Sequence, residues 1–125
     1  MALTTLVPAD VTVVSCYPFG GSSGKKRKCM TAIINDPAAT SGGATVGANA
    51  GDIPVSIFPN FAKIEWCSAL QIYTTATGAP SRLYSAAPTL AGTSIMLSDS
   101  GQTAGAVADM TLATSESAQI TIVGY

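Results

Sequence analysis

The sequence predicts a single all-β domain over residues 1–125, a β-sandwich or jelly-roll-like barrel of seven to nine short, mostly antiparallel strands with a long flexible arm. Three observations carry that expectation. Apolar, β-branched runs recur at roughly 8–12-residue spacing, separated by Gly, Pro, Asp and Ser clusters. In the block Ala62–Cys67 the apolar Ala62, Ile64 and Trp66 alternate with Lys63 and Glu65, the period of a half-buried strand. No window sustains the 3.6-residue apolar period of a helix.

Taken in order, the elements begin with an N-terminal arm, residues 1–9. Residues 11–17 (VTVVSCY) form a first strand ended by Pro18, and residues 27–35 (RKCMTAIIN) form a second, closed by Asp36-Pro37. The Gly-rich GGSSG between them predicts a hairpin with a long connection. Residues 38–52 (AATSGGATVGANAGD) offer no large side chain and almost no charge, so they read as a loop or arm outside the core. A helical turn is expected near Pro59-Asn60-Phe61. Beyond the central strand, Leu70–Thr74 continues the alternation after a Ser68-Ala69 break, and Gly78-Ala79-Pro80 turns the chain into residues 82–85. Short strands at 93–97, 106–113 and 118–125 complete the series, with SDSGQTAG as the turn cluster between the first two.

Composition narrows the function. Charged residues make up 10% of the chain and net charge is −1, against about 25% charged in a typical soluble domain. So few charges suit a surface covered by other protein chains better than a freely diffusing monomer. No apolar run approaches the ~20 residues of a membrane-spanning helix, and MALTTLVPADVTVV lacks the cationic and apolar regions of a secretory signal. Three cysteines, Cys16, Cys29 and Cys67, then read as reduced thiols serving as small core hydrophobes, with a Cys16–Cys29 bridge across the hairpin as the alternative.

The chain contains no histidine, which removes the commonest general base and the Ser-His-Asp arrangement. Of its seven acids, Asp10, Asp36, Asp52 and Asp99 sit beside turn or strand-start residues, where Asp bonds nearby backbone N–H groups. Glu65 alternates with Lys63, which suits a cross-strand or solvated role. GGSSGKK lacks the GxxxxGK[ST] spacing of a phosphate loop. No enzyme, cofactor or metal is expected.

Four of the six cations stand together at Lys25, Lys26, Arg27 and Lys28. Three readings compete: a solvated strand flank that discourages edge aggregation, an electrostatic dock for an acidic protein surface, and, least favoured, a nucleic-acid patch, which would want a broader basic face and interleaved aromatics. Phe58 and Phe61, flanking Pro59, are candidate plugs for a neighbour's pocket, or else core. Trp66 shares parity with Ile64 and is expected in the core.

The opening MALTTLVPADVTVVSCYPFG resembles that of small virion proteins of tailed bacteriophages. The later order is similar too: a basic strand (KKRKCMTAII), a Gly-rich arm (SGGATVGANAG), a central strand (FAKIEW) and a terminal strand (ITIVGY). The resemblance spans most of the chain and departs at Cys29, Cys67 and residues 89–109. It implies a non-enzymatic structural protein of the virion, assembled in the host cytoplasm, most of all a capsid decoration protein. Its partners would be the major capsid protein or other virion proteins and further copies of itself, with a trimer as the expected order. Lys25–Lys28 would dock on capsid, and the arms would lie on neighbours. A head–tail adaptor or tail-tube subunit is the structural rival. A carbohydrate-binding β-sandwich using Trp66 or the tyrosines is the rival of another class.

Overall fold

The computed structural model describes residues 5–19, 26–36, 44–46, 53–99, 110–113 and 115–125. It is all-β: ten strands lie among the described residues, and their only helical segments are two single 3₁₀ turns, Pro8–Asp10 and Val55–Ile57. The strands are β1 (Val11–Phe19), β2 (Arg27–Asn35), β3 (Ala44–Val46), β4 (Ile53–Pro54), β5 (Ile64–Cys67), β6 (Leu70–Thr74), β7 (Pro80–Pro88), β8 (Ser94–Asp99), β9 (Met110–Leu112) and β10 (Glu116–Gly124).

Eight of them make one curled antiparallel sheet in the order β1-β2-β10-β6-β7-β8-β4, with β5 also paired to β10. The predicted hairpin is present: β1 and β2 pair antiparallel from Val11–Ile34 to Phe19–Arg27. The return after Gly78 is present too, because Gly78 takes φ +70°, a backbone state that costs glycine little. β10 is the axis of the sheet. One of its sides carries β2 along its length, and the other carries β6 and β5 end to end. At the Ser68-Ala69 break the ladder continues through Ser68, whose N–H donates to the Thr121 carbonyl (2.8 Å) and whose Oγ accepts the Thr121 N–H (2.9 Å).

The concave face holds the core. Met30, Ala32 and Ile34 of β2, Ala118, Ile120 and Ile122 of β10, Leu70 and Ile72 of β6, and Ile95 and Leu97 of β8 are all buried there. Their period of two is what places them on one face. β3 and β9 form a second, two-stranded sheet that adds Val46, Met110 and Leu112 to the same core.

Several expectations are corrected. The 38–52 segment is not wholly an arm outside the core: within it, Ala44–Val46 is a strand and Val46 has no exposed surface. The rest of that segment lies outside the described residues. The N-terminal arm is anchored, with Leu6 only 2% exposed in the core; residues 1–4 lie outside the described residues. The expected helical turn falls earlier, at Val55–Ile57, and its curl tucks Phe58 inward. Of the 106–113 strand, Met110–Leu112 is a strand and 106–109 lie outside the described residues.

Candidate interaction surface

The convex face of the sheet is built from the residues that the core leaves over. Cross-strand register sets them in rows. The first is Tyr17 (β1), Cys29 (β2), Val123 (β10) and Trp66 (β5), each opposite the next. The second is Ser15, Thr31 and Thr121, where the Thr31 and Thr121 hydroxyls lie 3.1 Å apart. The third is Thr12, Ile33, Gln119, Gln71 and Leu83. None of these positions carries a charge. Half-solvated antiparallel sheets ordinarily place polar and charged residues outward, so this face departs from the pattern.

Trp66 is the main correction among the aromatics. Its shared parity with Ile64 predicted burial, yet Ile64 is 2% exposed and Trp66 is 53% exposed. The cause is a β-bulge: Val123 pairs with Trp66 and the next residue, Gly124, pairs with Ile64, leaving Glu65 as the extra residue. One inserted residue flips every side chain beyond it to the other face. Gly124 is required at this point, because a Cβ there would lie 2.0 Å from the Lys63 carbonyl oxygen. Two neighbouring glycine-free strands would have carried no sign of a bulge. A strand-terminal glycine opposite an alternating run is the signal that was available.

The bulged Glu65 receives a bidentate contact from Arg27: Nε to Oε1 at 2.6 Å and a terminal guanidinium nitrogen to Oε2 at 3.1 Å. That pair lies next to the aromatic row and is neutral as a unit, and the carboxylate holds the Arg27 pKa above its ordinary value. Lys28 donates its Nζ to the Asn60 carbonyl and stands 5.0 Å from the centre of the Phe61 ring, a cation–π distance. Lys26 precedes β2 and is exposed. Lys25 lies outside the described residues. The basic run is therefore partly internal stitching, tying β2 to the Asn60–Glu65 segment.

Phe58 and Phe61 are 1% and 8% exposed and belong to the core cluster, so neither is offered to a partner's pocket. Cys16 and Cys29 cannot bridge across the hairpin as paired here. Cys16 stands opposite Met30 and Cys29 opposite Tyr17, so the two thiols point to opposite faces. All three cysteines are free. Cys67 is the core thiol, its pKa pushed up to about 11 by burial; Cys16 is exposed. A hydrogen bond between the Tyr17 hydroxyl and the Cys29 side chain raises the Tyr17 pKa above its ordinary value.

An ion pair that sequence reasoning left unremarked, with Glu116 buried and Arg82 part-exposed, sits at the other end of the sheet. Glu116, 9% exposed, accepts from Arg82 at 2.9 and 3.0 Å, from the Ser81 hydroxyl at 3.1 Å and from the Ala113 N–H at 3.0 Å. It joins β7, β9 and β10 and has no free side toward solvent chemistry. Two open depressions border the convex face, one of ≈ 430 Å³ along Lys63, Glu65, Leu90 and Tyr125, the other of ≈ 450 Å³ around Ile33, Tyr73 and Ser117. Neither sets a nucleophile beside a base. Among the described residues no three of Cys, Asp and Glu converge as metal ligands, and no helix is long and apolar enough to cross a membrane.

Compared with known proteins, the chain matches no family, no curated protein and no solved structure.

Proposed function

We propose that this chain is a non-enzymatic structural protein of a virion, most specifically a capsid decoration protein that self-associates and reinforces the shell, and that its convex face is where it meets other chains. The observation that carries the reading is the set of three uncharged rows on the convex face, with Tyr17 and Trp66, 56% and 53% exposed, at the two ends of one of them. Tyr, Trp and Arg are the residues that dominate interface energetics, and here Arg27 lies beside that row, already paired. Low total charge points the same way. In a repeated particle, weak individual contacts of this kind become cumulative. Lys26 and Lys28 supply an electrostatic bias toward an acidic capsid surface.

The same exposure favours one rival. Aromatic side chains spaced along a flat sheet also suit a sugar-binding platform. Trp66 is the sole tryptophan, so its fluorescence separates the two. On this account its emission shifts to the blue as protein concentration rises, and Trp66→Ala, which removes the fluorophore itself, abolishes the increase in mass. Emission that stays red at every concentration, with retention on a glycan array that Trp66→Ala removes, would contradict the assembly reading in favour of sugar binding.

A further inference from the structure

We infer that β1 is a homotypic docking edge, pairing antiparallel with β1 of a second copy to continue the sheet across a twofold axis. This rests on the self-association proposed above and adds to its convex-face contact a second one, at the sheet edge.

The sheet has two ends, and they are not equivalent. At one end β4 is two residues long, closes with Pro54 and runs directly into the Val55–Ile57 turn. Proline withholds an N–H, so that end is a poor template. At the other end β1 is nine residues long, is paired on one side by β2, and has exposed side chains from Thr12 to Pro18. Val13, Val14 and Tyr17 are 40%, 56% and 56% exposed. An edge of this length without a single charged residue is what natural sheets normally avoid, because it invites pairing.

The ends of that edge are oppositely charged. Asp10 immediately precedes β1, and Asp36 immediately follows β2 at the same end. Lys26 and Lys28 lie at the far end, where Phe19 pairs with Arg27. Arg27 is neutralised by Glu65 and Lys28 is turned onto the Asn60 carbonyl and the Phe61 ring, so Lys26 carries the basic end. The two ends are roughly 27 Å apart by strand rise, well beyond a Debye length of about 8 Å, so each acts locally. Antiparallel self-pairing sets the acidic end of each copy on the basic end of the other, whereas parallel pairing would set like on like. Charge complementarity therefore selects both the partner and its direction.

The irregularity of β1 fits the same geometry. Its register shifts between Val13 and Ser15, so a bulge sits at mid-strand. Thr12 and Ser15 stand opposite Ile33 and Thr31 on the convex face, while Val11 and Cys16 stand opposite Ile34 and Met30 on the core face. A twofold axis perpendicular to the sheet preserves faces. Passing through the bulge, it matches Thr12 with Ser15 and Val11 with Cys16 of the other copy. Pro18 ends the ladder beyond these, and the pairing consumes both β1 edges, so it closes as a dimer instead of growing into a fibre. The assembly unit is then twofold, in place of the trimer that the resemblance implies.

The test is the mass of the full chain by light scattering over a concentration series, for the wild type and Val14→Lys. Val14 is exposed at the bulge, so the substitution leaves the fold intact; it also sets two lysines together at the axis. Wild type at twice the chain mass, with the dissociation constant raised roughly tenfold or more by Val14→Lys, is the result expected. Asp10→Lys and Lys26→Glu should each weaken pairing, and the two together in one chain should recover affinity over either alone. An oligomer that Val14→Lys leaves unchanged overturns edge pairing and leaves the assembly reading standing. A wild type at one chain mass throughout overturns edge pairing and the self-association proposed above together.

Discussion

Glu116 shows how one side chain can hold three strands. It receives the Arg82 guanidinium in a two-point contact and also caps the Ala113 N–H and the Ser81 hydroxyl. The Arg82 contact, first among its causes, lowers the Glu116 pKa below the ordinary carboxylate value, against the opposing effect of burial. A group whose folded pKa is depressed contributes stability above its unfolded pKa, about 4.3 for Glu, and loses it as pH falls through the lowered value. Glu116→Gln should therefore cost about 2 kcal/mol at neutral pH and flatten the acid limb of a denaturation series. An unchanged limb would mean that other carboxylates govern acid unfolding. None of this was legible in the sequence, where Glu116 follows a Thr-Ser run with no partner in view and Arg82 lies 34 positions away. Trp66 failed for a different reason. Parity counting presumes an unbroken register, and the extra residue at Glu65 breaks it.

At the scale of elements, the strands with strong alternation were read nearly to the residue. β2 and β6 fall on their predicted spans, and β10 begins two residues early. The reason is that β2, β6 and β10 are central strands with one face on the core, where burial enforces the period. The small sheet was the hard part. β3 is three residues of Ala, Thr and Val inside a Gly/Ala-rich tract, too short to show a period, and its pairing with β9 spans more than sixty positions. Yet Val46, Met110 and Leu112 are as buried as any strand of the main sheet. Removing residues 38–52 should then unfold the domain, where a dispensable arm would leave it folded. Met110→Ala alone should cost about 3 kcal/mol by the cavity it leaves, readable as a lowered denaturant midpoint. A 38–52 deletion that keeps a cooperative transition of wild-type midpoint would return that segment to the status of an arm.

For the whole molecule, the chain builds a concave core and then leaves three rows of its convex face and the β1 edge without charges, apart from the paired Arg27 and Glu65 beside them. The fold class was legible because spacing and alternation are properties of the sequence itself. The surface was legible only in outline: charge depletion is a property of the composition, but which positions are left uncharged depends on a bulge and on the pairing order of the strands. The cluster Lys25–Lys28 drew attention as a separate patch, whereas Arg27 and Lys28 are bound into the fold and the exposed aromatics lie on the adjoining face. The measurement that bears most directly on the central claim is the solution mass of the purified protein, by light scattering across protein and salt concentration. The account predicts a defined small oligomer that dissociates on dilution and is weakened by salt through its charged ends. A monodisperse single chain at every concentration, with Trp66 emission unchanged, would contradict it.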